Sequence, residues 1–193
     1  MSLMRVLVLV FWGFAGSLCT AEEDPAKAVK LEFRLVHADN DALVKKHQDE
    51  LWSSPRRANR EVERRFLEKH APDGYVLLSR TIIEPPRIPE VIYCYVSKTV
   101  EMDGSSVSRA AAVGDGSGSP MIRLSFDAEG SKKFADLTER NIGRDLAVVI
   151  DGKLCCAPRI RMPILGGDIE ITGSFTPEEL DAVVKGLNSK AAR

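Results

Sequence analysis

Residues that perform catalysis or bind metals are scarce in this sequence. Its 193 residues include three histidines and four cysteines, and the histidines (His37, His47 and His70) all lie in the first half. His37 precedes Asp39 and Asp41, which would make only a weak metal or acid–base cluster. There is no Gly-x-Ser-x-Gly, no His-Glu-x-x-His and no phosphate loop. We therefore predict that the protein is not an enzyme and has no catalytic residue, no metal site and no cofactor.

An excess of charge of one sign is also missing. The formal net charge is −1, although charged residues make up 28% of the chain. This balance gives no long-range field that favours nucleic acid or an anionic membrane. Arginines cluster between residues 56 and 65, but Glu61 and Glu63 interrupt them and no ladder of aromatic residues accompanies them. We expect a solvated helix face there, no nucleic-acid partner, and membrane contact only through a signal anchor or a partner.

Only one long apolar run occurs, at residues 6–18. It follows Arg5, it is shorter than the ~20 residues of a membrane helix, and small residues at 19 and 21 suit a cleavage site. The pattern predicts a signal peptide over 1–21 with cleavage after Ala21, a flexible leader over 22–28, and a periplasmic or cell-envelope location. An uncleaved anchor is one alternative. Lipidation of Cys19 is another, although the bulky Leu18 does not suit a lipobox.

Cys94, Cys155 and Cys156 remain after such cleavage, and three is an odd number for an exported protein. Neighbours on a strand face opposite sides, so we expect one of the two adjacent cysteines to point inward as a small hydrophobic residue. A disulfide from Cys94 to either of them is an alternative, and a bond between two chains is another. The spacing matches no zinc pattern.

The first half alternates strand and helix patterns. Residues 29–36 predict a half-buried strand, and residues 59–69 predict a helix with a Glu61–Arg65 pair. Short strands follow at 74–80, 91–96 and 107–113. Pro85, Pro86 and Pro89 predict one loop, and the glycine-rich residues 114–119 predict a hairpin connection.

After Pro120 the pattern is clearer. A strand ends before Asp127, which suits the N-cap of a helix whose Phe134 and Leu137 face the core, and Gly143 suits the helix exit. The uninterrupted apolar residues 146–150 predict a central strand. Asp151-Gly152 predicts a tight turn into a returning strand over 154–164, which Pro158 and Pro163 place at an edge or bulge.

The last elements predicted from the sequence are a turn, a strand and a helix. Gly166-Gly167 predicts the turn, and Ile169 and Ile171 are expected to face the core. Thr176, Pro177 and Glu179 form a complete helix start, with Phe175 stapled onto Leu180 and an apolar stripe behind it. The order of elements predicts an α+β fold in which helices cover one face of a mainly antiparallel sheet, with ferredoxin-like character.

Two stretches, LSFDAEGSKKFADLTERNIGRDLAVVIDGKLCCAPRI and ILGGDIEITGSFTPEEL, carry a family resemblance. They are similar to the head subdomain of the first periplasmic domain of SecD and fused SecDF protein-export proteins. The shared positions, which we interpret as encoding the fold rather than a reactive site, are Gly130, Phe134, Gly143, Asp151, Gly152, Ala157, Pro158, Gly166, Gly167, Ile171 and Gly173. Weaker likeness extends upstream to residues 31–36 and 96–113.

The resemblance implies a head subdomain over 101–190 that follows a base-like α+β region over 29–100. It also implies a non-enzymatic accessory in translocation that binds unfolded or exported polypeptide, or Sec translocon components. SecD proteins carry membrane helices after the head, and none follows here. We therefore expect a stand-alone exported module that cannot by itself run a proton-driven pump.

The predicted edge strand suggests where a polypeptide would bind. Strand addition there would use Arg159, Ile160, Arg161, Met162 and Ile164. The two prolines could instead protect the edge from any partner. The alternative to an export role is a structural or self-associating envelope protein that reuses the fold.

Overall fold

The computed structural model describes residues 29–53, 59–82, 89–114 and 120–191. The predicted signal peptide and leader, the loop at Pro85 and Pro86, and residues 115–119 of the hairpin connection lie outside these described residues. Within the described part of the chain, no helix is both long and apolar enough to cross a membrane.

The described residues form nine strands, four helices and one short 3-10 turn, Gly104–Ser106. The strands are β1 Leu31–Leu35, β2 Tyr75–Ile82, β3 Glu90–Ser97, β4 Met102–Asp103, β5 Val107–Gly114, β6 Pro120–Phe126, β7 Leu146–Ile150, β8 Lys153–Cys156 and β9 Asp168–Thr172. The helices are α1 Asn40–Trp52, α2 Arg60–Lys69, α3 Ala128–Arg140 and α4 Pro177–Ala191.

A four-stranded antiparallel sheet in the order β4-β1-β7-β8 lies at the centre of the fold. All five residues of β7 are buried, as the uninterrupted apolar pattern predicted. The prediction that β1 is half-buried is wrong, because the strand pairs on both edges and even Glu32 is buried. Arg34 and Lys30 neutralise the Glu32 carboxylate by ion pairs of 2.8 and 2.7 Å.

The β2–β3 hairpin lies beside this sheet. Val36, just beyond β1, forms a bridge with Val96, and the His37 amide donates to the Tyr95 carbonyl at 2.8 Å. The end of β1 is thus next to β3, and β2 lies beside β8. Val36, Val96, Val149 and Leu154 belong to one apolar cluster that these strands share.

A second apolar cluster covers the other face of the central sheet. It contains residues of the β5-β6-β9 sheet, α3 and α4. Three phenylalanine rings, from Phe33, Phe126 and Phe134, meet there with centroids 5.1 to 6.0 Å apart. The α+β class with antiparallel pairing is confirmed, and the strands are divided among three sheets.

The predicted helix and turn signals are present. The Asp127 carboxylate accepts from the Gly130 amide at 2.7 Å. Thr176 and Glu179 cap each other, with contacts of 3.1 and 3.2 Å between side-chain oxygens and backbone amides. Asp151 and Gly152 have positive φ angles of 47° and 80°, which are typical of a tight type I′ hairpin turn.

Helix α1 was not predicted, because polar residues occupy two of its three buried positions. These are Asn40 and His47, with Leu51 as the third. Asn40 accepts from the Tyr95 amide at 2.8 Å, so a side chain that would favour a turn instead joins α1 to β3. A hydrophobic periodicity that depends on such residues is invisible in the sequence.

Acid should destabilise the fold through His47. The Tyr95 hydroxyl donates to the Leu67 carbonyl at 3.1 Å, so it accepts at 2.9 Å from His47 Nδ1. Burial, and then the charge on His70, lower the pKa of His47 from its usual 6.5. The unfolded chain therefore takes up a proton first, and the free energy of unfolding falls as the pH drops below 6.5.

Urea unfolding above and below this pH checks the prediction. The His47→Gln variant should lose part of the acid sensitivity, whereas His37→Gln controls for the loss of a histidine elsewhere. An identical pH dependence in wild type and His47→Gln would contradict the assignment.

The returning strand is shorter than predicted, because β8 ends at Cys156 and only Arg159 forms a further bridge, with Asp145. A bulge makes Cys155 the extra residue of β8, since Val148 pairs with Cys156 and Val149 with Leu154. The expectation that Cys155 and Cys156 face opposite sides is therefore wrong, and both belong to the main core. Cys94, Cys155 and Cys156 are free thiols, which contradicts a disulfide among them.

These thiols should be unreactive in the folded protein. Burial raises the pKa of Cys94 and Cys156 to about 11 and that of Cys155 to about 12, from 9.0. Since only the thiolate reacts, alkylation should be at least ~100-fold slower in buffer than in urea. Peptide mapping by mass spectrometry after iodoacetamide treatment measures each cysteine separately. Rapid modification of Cys155 in the native state would refute the burial argument.

Candidate functional site

A groove of about 670 Å³ follows the seam between β2 and β8. We call it the seam groove. Its walls come from β2, from the β7–β8 hairpin, and from the loop and first turns of α4. The lining residues are 77–81, 150–155, 173–175, Arg64, Glu179, Ala182 and Val183.

The seam is open because neither strand has a partner on this side. Among the described residues, β2 pairs only with β3, and β8 pairs only with β7. A side-chain hydrogen bond crosses the gap, from Arg80 Nη1 to the Cys155 carbonyl at 3.3 Å. The bulge at Cys155 interrupts the regular ladder at this point. Two strand edges without a strand partner therefore border one groove.

The groove combines an apolar wall with charges of both signs. Leu77, Phe175 and Val183 contribute apolar surface. At the rim, Lys153 Nζ lies 3.6 Å from Glu179. The Thr176 amide donates to Glu179 and is the main cause that lowers the pKa of this carboxyl group. Such a surface can hold an extended chain through backbone and apolar contacts, without selecting a charge.

The groove has no activated nucleophile. Cys155 is its one thiol among the described lining residues, and burial raises the pKa of that thiol to about 12. His37, which the sequence placed near two aspartates, instead accepts the Asp39 amide at 3.1 Å and packs its ring against Tyr75. No group of three or more potential metal ligands occurs in the part of the chain that the structure describes.

The motif residues contribute to the fold at several points. Phe134 and Ile171 are in the main core. A Cβ at Gly130 would overlap the Ser106 side chain, and a Cβ at Gly167, where φ is 72°, would overlap Ser131. These contacts explain two of the glycines as sites of close packing. Asp151, Gly152 and Gly173 also border the seam groove, so part of the motif shapes that site.

The predicted polypeptide-binding residues lie outside the seam groove, and they do not form a strand. Arg159 forms an ion pair with Asp145 at 2.9 Å, and Ile160 is buried in the core. Arg161, Met162 and Ile164 are exposed. Binding of polypeptide by this segment stays a prediction. No pattern in the sequence indicates the seam groove, because it depends on how two strands that are distant in sequence meet.

The fold and the groove together define an antiparallel α+β domain with an open strand seam. Its sequence matches the profile described as SecDF, P1 head subdomain, over residues 80–191, more than half of the chain. The chain therefore belongs to the SecDF P1 head subdomain family. The match includes all of residues 101–190, the span predicted for the head. That division of the chain at residue 100 stays a prediction.

Several curated relatives are protein translocase subunits. SecD of Acidaminococcus fermentans is 40% identical over 117 residues, covering 53% of this chain and 28% of that protein. SecD of Rickettsia bellii is 36% identical over 110 residues, covering 57% and 21%. SecDF of Thermus thermophilus is 41% identical over 88 residues, covering 46% and 12%. The chain thus spans less than a third of the length of these relatives.

Solved SecDF structures share the fold. A crystal structure of SecDF in a super-membrane-facing form is 32% identical with a TM-score of 0.54, covering 85% of this chain and 19% of that one. A second structure, of a membrane component SecDF that enhances protein export, is 31% identical with a TM-score of 0.53, covering 85% and 64%. Family membership implies an exported or periplasmic location.

Proposed function

We propose that this protein is a non-enzymatic exported module that binds an extended segment of a translocating polypeptide in the seam groove. The observation that carries the proposal is the unpaired edges of β2 and β8 along a single groove. An incoming strand can hydrogen-bond to such an edge through its main chain. These main-chain hydrogen bonds do not depend on the side chains of the bound strand. They therefore suit a protein that must bind many different unfolded sequences.

The apolar wall supports the same function. An unfolded chain exposes apolar side chains at irregular intervals, and Leu77, Phe175 and Val183 give them a surface to cover. The charges at the rim are of both signs, so neither acidic nor basic segments are excluded. In this role the protein acts as an accessory beside the Sec translocon, in line with its relatives, which are protein translocase subunits.

Titration with a reduced, unfolded model polypeptide tests the proposal. Ala182→Trp places a large side chain in the groove from an exposed position on α4, and it should weaken binding by at least ~10-fold. Ala128→Trp is the matched control, because Ala128 is an exposed helix residue outside the groove. Met162→Ser tests the segment predicted from the sequence. Equal binding by wild type and Ala182→Trp would refute the groove assignment.

The second candidate is a structural or self-associating envelope protein without an export role. Open strand edges favour this alternative too, since they can pair between two copies. Sedimentation analysis separates the two functions. A concentration-dependent dimer that binds no unfolded polypeptide would support self-association, whereas recovery of translocon subunits with the tagged protein from its native envelope would support the export role.

A further inference from the structure

An arginine side chain crosses the seam groove. Arg80 belongs to β2, and its Nη1 atom donates to the Cys155 carbonyl of β8 at 3.3 Å. Its side chain is partly buried, and both residues line the groove. Burial raises the pKa of the Cys94 and Cys156 thiols, and the positive charge of Arg80 acts on both in the opposite direction. The guanidinium group is therefore close both to the groove and to two buried thiols.

The guanidinium group of Arg80 has hydrogen-bonding capacity that the fold does not use. A guanidinium carries several N–H donors in a planar fork. Within the described residues, the Cys155 carbonyl is its hydrogen-bond partner, and no carboxylate forms an ion pair with it. The hydrogen bond to Cys155 is also longer than the usual N–H to carbonyl distance of about 2.9 to 3.0 Å. Most donors of this side chain are therefore left for solvent or for a ligand.

The other charged residues that line the groove have partners within the protein. They are Arg64, Asp151, Lys153 and Glu179. Lys153 and Glu179 are 3.6 Å apart, and Asp151 accepts the Lys30 amide at 2.8 Å. Arg64 has two carboxylate partners on its own helix, each 3.5 Å away. Among the charged lining residues that the structure describes, Arg80 is therefore the one whose donors are largely unoccupied.

A peptide carbonyl is the ligand that best fits this position. Arg80 already binds one main-chain carbonyl, at the bulge of β8. A polypeptide that lies along the groove presents a further carbonyl at every residue, and a guanidinium fork can donate to two acceptors at once. A carboxylate would also be attracted to the guanidinium, but Asp151 and Glu179 line the same groove and repel a strongly acidic segment.

We propose that Arg80 binds main-chain carbonyl groups of the polypeptide segment in the seam groove. Every peptide unit carries the same carbonyl, so this contact adds affinity without selecting a sequence. Because the hydrogen bond to Cys155 already holds the side chain across the seam, less side-chain freedom is lost when a polypeptide binds. The inference rests on the proposed function, since it assigns a binding residue within the same groove.

Titration of the full-length chain with two synthetic peptides tests the proposal. Both peptides are capped at their ends, so neither has a terminal carboxylate. One contains only uncharged residues, and the other also contains glutamates. Arg80→Met removes the donors but keeps an unbranched side chain, and it should weaken binding of the uncharged peptide by at least ~10-fold. Arg123→Met is the matched control, because it removes an arginine from a strand outside the groove, and it should bind like wild type.

A second variant separates binding from folding. Arg80→Lys keeps the positive charge but has no planar fork, so its affinity for the uncharged peptide should lie between those of wild type and Arg80→Met. Urea unfolding shows whether each variant is folded before it is titrated. If Arg80→Met does not fold, Arg80→Lys decides the question, and a wild-type affinity in that variant overturns the proposal.

The remaining outcomes distinguish the role of Arg80 from that of the groove. Unchanged binding of the uncharged peptide by folded Arg80→Met would overturn the proposal, as would failure of the wild type to bind this peptide. A loss confined to the peptide with glutamates would also overturn it, because the ligand would then be a carboxylate. If Arg80→Met binds like wild type and Ala182→Trp does not, the groove keeps its proposed function and only the role of Arg80 is wrong. If the wild type binds neither peptide nor the unfolded model polypeptide, the proposed function fails as well.

Discussion

Replacing Phe33 with alanine should lower the free energy of unfolding by about 3–5 kcal/mol. Phe33 is 0% exposed, and its ring meets those of Phe134 and Phe126 at centroid distances of 5.2 and 6.0 Å. It lies on β1, which is paired on both edges, so the surrounding structure cannot collapse easily into the space. Removal of the ring therefore leaves a cavity and ends two edge-to-face contacts.

Urea unfolding followed by circular dichroism measures this effect. Phe33→Leu conserves much of the volume and should cost less than about 1.5 kcal/mol. Trp52→Ala removes an even larger aromatic side chain, but from an exposed position, and should change the free energy of unfolding by no more than ~0.5 kcal/mol. A cost for Phe33→Ala as small as that of Trp52→Ala would show that the ring cluster does not organise the core.

Arg34→Met should be similarly destabilising, by about 3–5 kcal/mol, because it takes from a buried charge the more buried of its two cationic partners. The Glu32 side chain is 4% exposed and that of Arg34 is 17% exposed. Arg34 donates to Glu32 at 2.8 and 3.2 Å and to the carbonyl of Ser97 at 3.2 Å. The substitution removes these bonds, and only the exposed Lys30 remains to neutralise the carboxylate.

Burial separates this pair from an otherwise similar one on the surface. Arg123 and Glu170 are 2.7 Å apart, but their side chains are 53% and 46% exposed. Arg123→Met should cost only about 0.2–1 kcal/mol. Comparable losses in the two variants would mean that burial does not decide the strength of the Arg34–Glu32 interaction. The double variant Arg34→Met/Glu32→Gln should recover part of the loss, since it removes the unpaired charge.

The pH dependence gives a second measurement on the same variant. Burial raises the pKa of Glu32, but hydrogen bonds from Lys30 and Arg34 outweigh it, so the pKa lies below 4.5. The ion pairs therefore stabilise the fold above this pH, and their contribution is lost as the pH falls through the folded-state pKa. Without Arg34, one of the two cations that lower the pKa of Glu32 is lost, so this pKa should rise. The deficit of Arg34→Met should thus shrink as the medium is acidified towards pH 4.5 and below. A deficit that is independent of pH would contradict this cause.

The local signals in the sequence were sufficient for most elements after Pro120. Asp127 caps α3, Asp151-Gly152 turns the hairpin, and Thr176 with Glu179 starts α4, as predicted. Each of these interactions joins residues within a few positions of each other, so the local sequence is enough to predict the cap or the turn. The same local sequence motifs also carry the family resemblance, and the match over residues 80–191 confirmed that resemblance.

Tertiary structure decided the features that join distant parts of the chain. The alternating pattern of β1 predicted polar residues in solvent, but pairing on both edges buried Glu32 and required Arg34 beside it. Helix α1 could not be predicted from hydrophobic periodicity, because its buried face carries the polar residues Asn40 and His47. Their burial is explained only by their hydrogen bonds to Tyr95 on β3. The seam groove exists only because β2 and β8, which are about 75 residues apart, lie side by side without pairing. Sequence patterns report what each residue prefers locally, whereas burial and strand edges depend on what the rest of the chain places beside them.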